Sequence, residues 1–185
     1  AVKQNQKIEW VTVLDSQELI GINTRVHLAE ATKVLRTRIN NEWMLNGVSL
    51  IDPDTTYIEP TVKIGQDTVI YPNTHLLGET TLGNHCQEGP DTKIFNSRVG
   101  NSCEIEFSVI EESMVEDKVD IGPFSHLRNG AHLGPGVHVG NFAEIKESYL
   151  GEGTKVGHFS YFSSSQIGQR VNLGAASFTC NYERK

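Results

Sequence analysis

The chain has 185 residues, enough for one ordinary domain or for a small segment plus a repeat array. Its 23 acidic against 16 basic residues leave a net charge of −7, which argues against nucleic acid as a partner. No apolar stretch is as long as a membrane span and the polar start AVKQNQK is unlike a signal peptide, so a soluble, cytoplasmic protein with no membrane partner is expected.

Residues 8–14 (IEWVTVL) read as a short strand, and Asp15 with Glu18 resembles a capping box opening one helical turn. From Thr24 to Asn46 the spacing of Leu28, Ala31, Leu35, Ile39 and Trp43 predicts a connector helix that Gly47 ends. Asp52-Pro53-Asp54 marks a turn, and a different rhythm follows.

From Ile58 onward an apolar residue recurs at 58, 64, 70, 76 and 82, and again at 115, 121, 127, 133, 139 and 145. Carried through, the series runs to Thr179 in steps of six, with five steps of five, and Glu88 is its clear breach. Four residues on from most of these positions stands a small side chain such as Thr68, Cys86 or Ala143. One residue on stand 11 of the 17 glycines, read as corners that need permissive backbone angles. Three such steps make one triangular coil, so residues 17 or 18 apart stack at the strand spacing of roughly 4.8 Å. The expected fold is mainly β, a parallel β-helix over 58–185 preceded by a strand and a connector helix. The general crossover rule favours a right-handed path. The chain begins without Met and stops in mid-rhythm at CNYERK, so a piece of a longer protein is expected.

Coil arithmetic then gathers chemistry. Arg128 and Lys146 are 18 apart at one corner, and Tyr161 reaches that corner one coil later; two cations and a phenol suit a phosphate group. A solvated corner is the alternative, since two like charges roughly 5 Å apart cost only about 1 kcal/mol in water. Glu144 stacks with Tyr161, and His158 lies on the neighbouring face, an arrangement suited to general-base catalysis on a phosphorylated substrate. His126, His132 and His138 recur every six residues and invite a metal, but six residues is a third of a coil, which sets them on different sides. Cys86, Cys103 and Cys180 show no metal spacing and no disulfide framework; the first two are read as core fillers.

The motifs IGPFSHLR (121–128), NFAEIK (141–146), VGHFSY (156–161), VNLGA (171–175) and TCNY (179–182), in that order, resemble one bacterial family. It is the bifunctional N-acetylglucosamine-1-phosphate uridyltransferase and glucosamine-1-phosphate acetyltransferase, and LIGINTRVHLAEA (19–31) is similar to the end of its uridyltransferase domain. The resemblance implies a left-handed β-helix and a division into 1–23 (uridyltransferase end), 24–57 (linker) and 58–185 (truncated acetyltransferase domain). It implies acetyl transfer from acetyl-CoA to glucosamine-1-phosphate in a homotrimer, within a protein that makes UDP-N-acetylglucosamine for peptidoglycan and lipopolysaccharide. By resemblance His158 is the general base and Glu144 orients or polarises the site; Arg128, Lys146 and Tyr161 hold the phosphate and Asn172 the sugar. Ala175, Asn181 and Tyr182 would contact acetyl-CoA, and Asn23 matches a residue that binds the sugar nucleotide and Mg²⁺. The sequence departs from the family at Ala176-Ser177, Glu183-Arg184 and Ser163-Ser164, near the CoA motif. These departures keep two other readings open: a non-catalytic β-helix for trimerisation or sugar-phosphate binding, and an acyltransferase for another amino sugar.

Overall fold

In the computed structural model, which describes residues 9–180, short parallel strands recur three times per coil and stack into three faces. The first face rises from Ser49–Leu50 to Asn172–Leu173, the second starts at Tyr57–Ile58, and the third comprises seven strands from Lys63–Ile64 to Gln166–Ile167. Two longer strands, His138–Lys146 and Lys155–Ser163, turn the corner between the first two faces and join them into one sheet. The chain divides into two compact units, residues 1–36 and 37–185.

The apolar beat marks the interior. Ile70, Leu76, Ile94, Leu127, Ile145 and Val156 are wholly buried, each worth roughly 1.5–3 kcal/mol. Cys86 and Cys103 fill the same interior, their thiols donating to the carbonyls of Gly100 and Glu116 at 3.1 and 3.0 Å. At each five-residue step stands a serine: Ser97, Ser108, Ser113, Ser148 and Ser165. Its hydroxyl donates to the carbonyl two residues back at 2.7–2.8 Å, across a residue with positive φ (Asn96, Phe107, Glu112, Glu147, Ser164). On these shorter sides the hydroxyls of Ser97, Ser108 and Ser148 also accept from the backbone N–H of Ser113, Ser125 and Ser165 in the next coil, at 3.1 Å each.

The glycine expectation needs correcting. Of the 11 glycines one residue past the apolar beat, only Gly89 and Gly122 have positive φ. In the six-residue steps the left-handed position falls two residues later, for example at Asp67, Asn73 and Phe124. The glycines answer instead to close approach between coils: a Cβ on Gly83 would stand 2.5 Å from the Gly100 oxygen. Beside them Asn84, Asn101 and Asp117 each use a side-chain oxygen to accept from the backbone N–H of Gln66, Asn84 and Asn101, at 2.9, 2.9 and 2.7 Å. At Gly65, Gly83, Gly100, Gly140 and Gly151 a Cβ would come within 2.2–2.7 Å of the next coil, whereas at Gly157 and Gly174 it would meet nothing within 4 Å.

The helix Arg25–Leu45 starts where expected, with the Thr24 hydroxyl accepting from His27 N at 3.1 Å, and Gly47 follows it at φ +90. Ile39 and Trp43 pack on the solenoid core. Asn40, which the apolar stripe does not single out, is buried and donates to the carbonyls of Pro53 and Thr56 at 2.9 and 3.1 Å, holding the Asp52–Asp54 turn. Leu28 and Leu35 stay about half exposed. Asp15 caps the one-turn 3-10 helix Ser16–Leu19 through Gln17 N. The strand expected over 8–14 is not formed in residues 9–14: no sheet ladder reaches them, and Trp10, Val11 and Leu14 are largely in solvent. Ile8 lies outside the described residues. No helix among the described residues is long and apolar enough to cross a membrane.

Glu88 is the one breach of the beat that points a charge-bearing group inward. It is fully buried between Ile70 and Ile105 of the adjoining coils, and neither carboxyl oxygen has a partner. Burial, with Cys86 adding to it, pushes its pKa well above the ordinary carboxylate value. A folded value above the unfolded one means stability is fully present below the unfolded pKa and falls as pH rises toward the folded one, by roughly 1.4 kcal/mol per pH unit. Glu88→Leu is therefore expected to raise the melting temperature at pH 8 by more than at pH 5, followed by circular dichroism. An equal gain at both pH values would contradict this assignment.

Candidate active site

On the second face, residues on either side of an interior position point outward, so two columns of side chains climb the solenoid side by side. Cα pairing puts His126 under Glu144 and Glu144 under Tyr161. In the other column Glu111 lies above Phe95 and Lys146 below Ser163, with Arg128 in the intervening coil, its N–H on the Ile145 carbonyl at 2.8 Å. Tyr161 thus belongs to the column of Glu144, and Ser163 is the residue stacked on Lys146.

Nor are the two cations bare. Arg128 Nη1 donates to Glu144 Oε1 at 2.7 Å, which raises the pKa of the guanidinium, and Lys146 Nζ lies 3.4 Å from Glu147 Oε1. Each positive charge thereby has a carboxylate beside it, which offsets part of the repulsion expected from stacked cations. Arg128 retains further donors, because a guanidinium has five.

One coil below lies a cluster that the motif reading did not single out. Glu111 accepts from Lys93 Nζ at 2.9 Å and meets His126 Nε2 at 3.3 Å. Lys93, then His126, hold its carboxyl below the ordinary range. The signal was available in part: Lys93, Glu111 and His126 are 18 and 15 residues apart, each separation close to one coil. Phe95, Glu111, Glu112, Arg128, Asn129 and Lys146 line a groove of about 270 Å³ there.

His158 is exposed on the strand Lys155–Ser163, opposite Asn141 and three residues before Tyr161. Beside it runs an edge of phenyl rings: Phe124 and Phe142 stack at 5.5 Å, Phe159 meets Phe178 edge-on at 5.7 Å, and Phe142 and Phe159 are each 59% exposed. Asn172 and Ala175 are exposed at the upper coils, and Asn181 and Tyr182 lie outside the described residues. His126, His132 and His138 stand on the second, third and first faces and face Glu111, Glu116 and Asp120 of the coil below. Asn23 is exposed, its backbone N–H on His27 Nδ1 at 3.4 Å. A single amide does not make a magnesium site, and among the described residues no group of three or more His, Cys, Asp or Glu could hold a metal. The residues present do not fit the ion, so no step is assigned to it.

A folded value below the unfolded one means that Glu111 adds stability above the ordinary carboxylate pKa, and that this contribution fades as pH falls through the folded value. Both partners are partly solvated, which keeps the effect small. Glu111→Gln is expected to cost under about 1 kcal/mol at pH 7 in urea unfolding, and less at pH 3. A cost that grows toward pH 3 would overturn the assignment.

No protein-family model matches the chain. It is 46% identical over 184 residues to the bifunctional protein GlmU of Carboxydothermus hydrogenoformans, a match covering 100% of this chain and 41% of that relative. The bifunctional protein GlmU of Heliobacterium modesticaldum is 45% identical over 174 residues (94% of the chain, 38% of the relative), and that of Synechococcus elongatus 44% over 148 residues (80% and 33%). The chain spans well under half the length of these relatives. Among solved structures, a hexapeptide transferase family protein from Anaplasma phagocytophilum is 20% identical, with a TM-score of 0.43 over 70% of this chain and 74% of its own. On its sequence relatives, the chain is similar throughout its length to one stretch of the bifunctional GlmU proteins.

Proposed function

We propose that this chain carries acetyl transfer from acetyl-CoA to the amino group of glucosamine-1-phosphate. The observation that carries the reading is the register that sets Arg128, Glu144, Lys146 and Tyr161 on adjoining coils of one face, in a chain related throughout its length to GlmU proteins. The phosphate sits against Arg128 and Lys146, with the Tyr161 hydroxyl beside it, and Glu144 keeps the guanidinium aimed. Asn172 binds the sugar, and Ala175, Asn181 and Tyr182 contact acetyl-CoA. His158 accepts the proton lost by the sugar nitrogen as the N–C bond forms to the acetyl carbon. The C–S bond then breaks, and coenzyme A leaves as a thiolate that takes up the proton.

The same reading makes the working unit a homotrimer in the cytoplasm, where both substrates are found. The exposed phenyl edge beside His158 supports a second copy closing the site, since contiguous apolar surface of this kind is usually covered. In the whole protein, the product would pass to a uridyltransferase half that makes UDP-N-acetylglucosamine for cell-wall precursors.

Thiol release from acetyl-CoA with glucosamine-1-phosphate tests the reading, on this chain and on a version extended to the length of its GlmU relatives. His158→Ala is expected to lower kcat by roughly 10²–10⁴ with little change in KM. Arg128→Ala should chiefly raise KM for the sugar phosphate. Full activity in an active, extended His158→Ala protein would contradict the mechanism.

A further inference from the structure

The groove beneath the two cations has a charge pattern that the proposed reaction does not use. Arg128 and Lys146 form its upper wall, Glu111 and Glu112 its lower part, and Phe95 closes it below. Glu111 is not free to swing away, because Lys93 Nζ and His126 Nε2 hold its two oxygens from different sides at 2.9 and 3.3 Å. The Lys93 partner belongs to the coil below, beside Phe95. Glu112 sits at a positive φ of 46, bonded through its N–H to the Phe95 carbonyl, and this backbone position fixes where its carboxylate starts. The groove descends toward lower-numbered coils, whereas His158 lies one coil above the coil that carries Lys146. A phosphate held by Arg128 and Lys146, with its sugar reaching toward His158, would have its outer oxygens facing this groove.

We infer that Glu111 and Glu112 are specificity residues that admit a terminal phosphate monoester and reject a phosphate extended into a diphosphate. The inference rests on the placement of the sugar phosphate proposed above. A monoester ends at Arg128 and Lys146 and leaves the groove to water. A nucleoside diphosphate sugar bound by the same phosphate would push its second phosphate into a groove bordered by two carboxylates. Lys93 offsets part of that repulsion, but its ammonium is committed to Glu111 from the far side, so it fixes the carboxylate without offering a donor to the groove. The low-lying pKa of Glu111 keeps it charged across the neutral range, in support of the geometry.

Calorimetric binding of glucosamine-1-phosphate and of UDP-glucosamine to this chain, to Glu112→Gln and to the double variant Glu111→Gln/Glu112→Gln tests the inference. Glu112→Gln leaves every bond described for Glu111 in place, so it reports even if the double variant is unstable. The unaltered chain is expected to prefer the monophosphate by tenfold or more. The double variant should narrow that preference roughly tenfold, and Glu112→Gln by about half as much on a logarithmic scale, mainly through tighter binding of the UDP sugar. A preference unchanged in both variants, with the monophosphate still bound, would overturn this inference alone. Absence of monophosphate binding to the unaltered chain and to its extended form would instead overturn the phosphate site, and the inference with it.

Discussion

The structure depends on one constraint: each coil must lie a strand spacing from the next along its whole path, so that backbone N–H groups find carbonyls 15 to 20 residues away. Everything else accommodates that distance. Glycines one residue past the interior position let backbone and amide side chains of the next coil come close, as Gly83 does for Gly100. Asparagine and aspartate oxygens accept from backbone N–H groups at the corners, and serine hydroxyls on the shortened sides bridge a carbonyl of their own coil to an N–H of the next, as Ser97 and Ser148 do. The apolar column supplies most of the driving force, but by itself would tolerate slippage between coils. Directional bonds at corners remove that freedom.

The constraint also accounts for how a repeat can carry a site. A solenoid brings together residues remote in sequence without any loop reaching across. Arg128, Glu144 and Tyr161 meet because pairs of residues 16 and 17 apart must lie on adjoining coils. Their spacing is fixed by backbone bonds on both sides, which is the rigidity a phosphate clamp needs. Exposed His158, in contrast, stands on a corner bordered by phenyl rings, where a second molecule can complete the surroundings.

Much of this was legible in the sequence. The apolar beat located the interior at nearly every coil, because only two positions in six point inward in so narrow a prism and one of them takes small side chains, leaving the other for the large apolar residue. The helix 25–45 was legible from its apolar spacing and terminal glycine, and the separation of the three histidines onto three faces from simple division. What was missed has a physical pattern. The glycines were legible as a column but not in their cause, since a sequence shows that a Cβ is missing and not what would collide with it. Tyr161 was placed on the Lys146 corner because a coil count drifts by one or two residues wherever a side is shortened; the serines that mark those sides were present and unused. Glu111 was overlooked because neither it nor Lys93 lies in a motif and His126 was weighed only with the other histidines, although separations of 18 and 15 residues bring the three onto adjoining coils. The strand expected over residues 8–14 failed because its alternation describes a surface that needs a neighbouring strand, and none pairs with residues 9–14.

The register itself is open to a direct measurement. In a Cys180→Ser background, paired cysteines at 144 and 161, or at 146 and 163, would stand roughly 4.8 Å apart at Cα, within the disulfide range of about 4.4–6.8 Å. Cysteines at 146 and 161 would lie on a diagonal of roughly 8 Å, beyond it. Mild oxidation followed by thiol titration should show cross-linking in the first two double variants and not in the third. Efficient cross-linking of 146 with 161, and none of 144 with 161, would contradict the register on which the site is built.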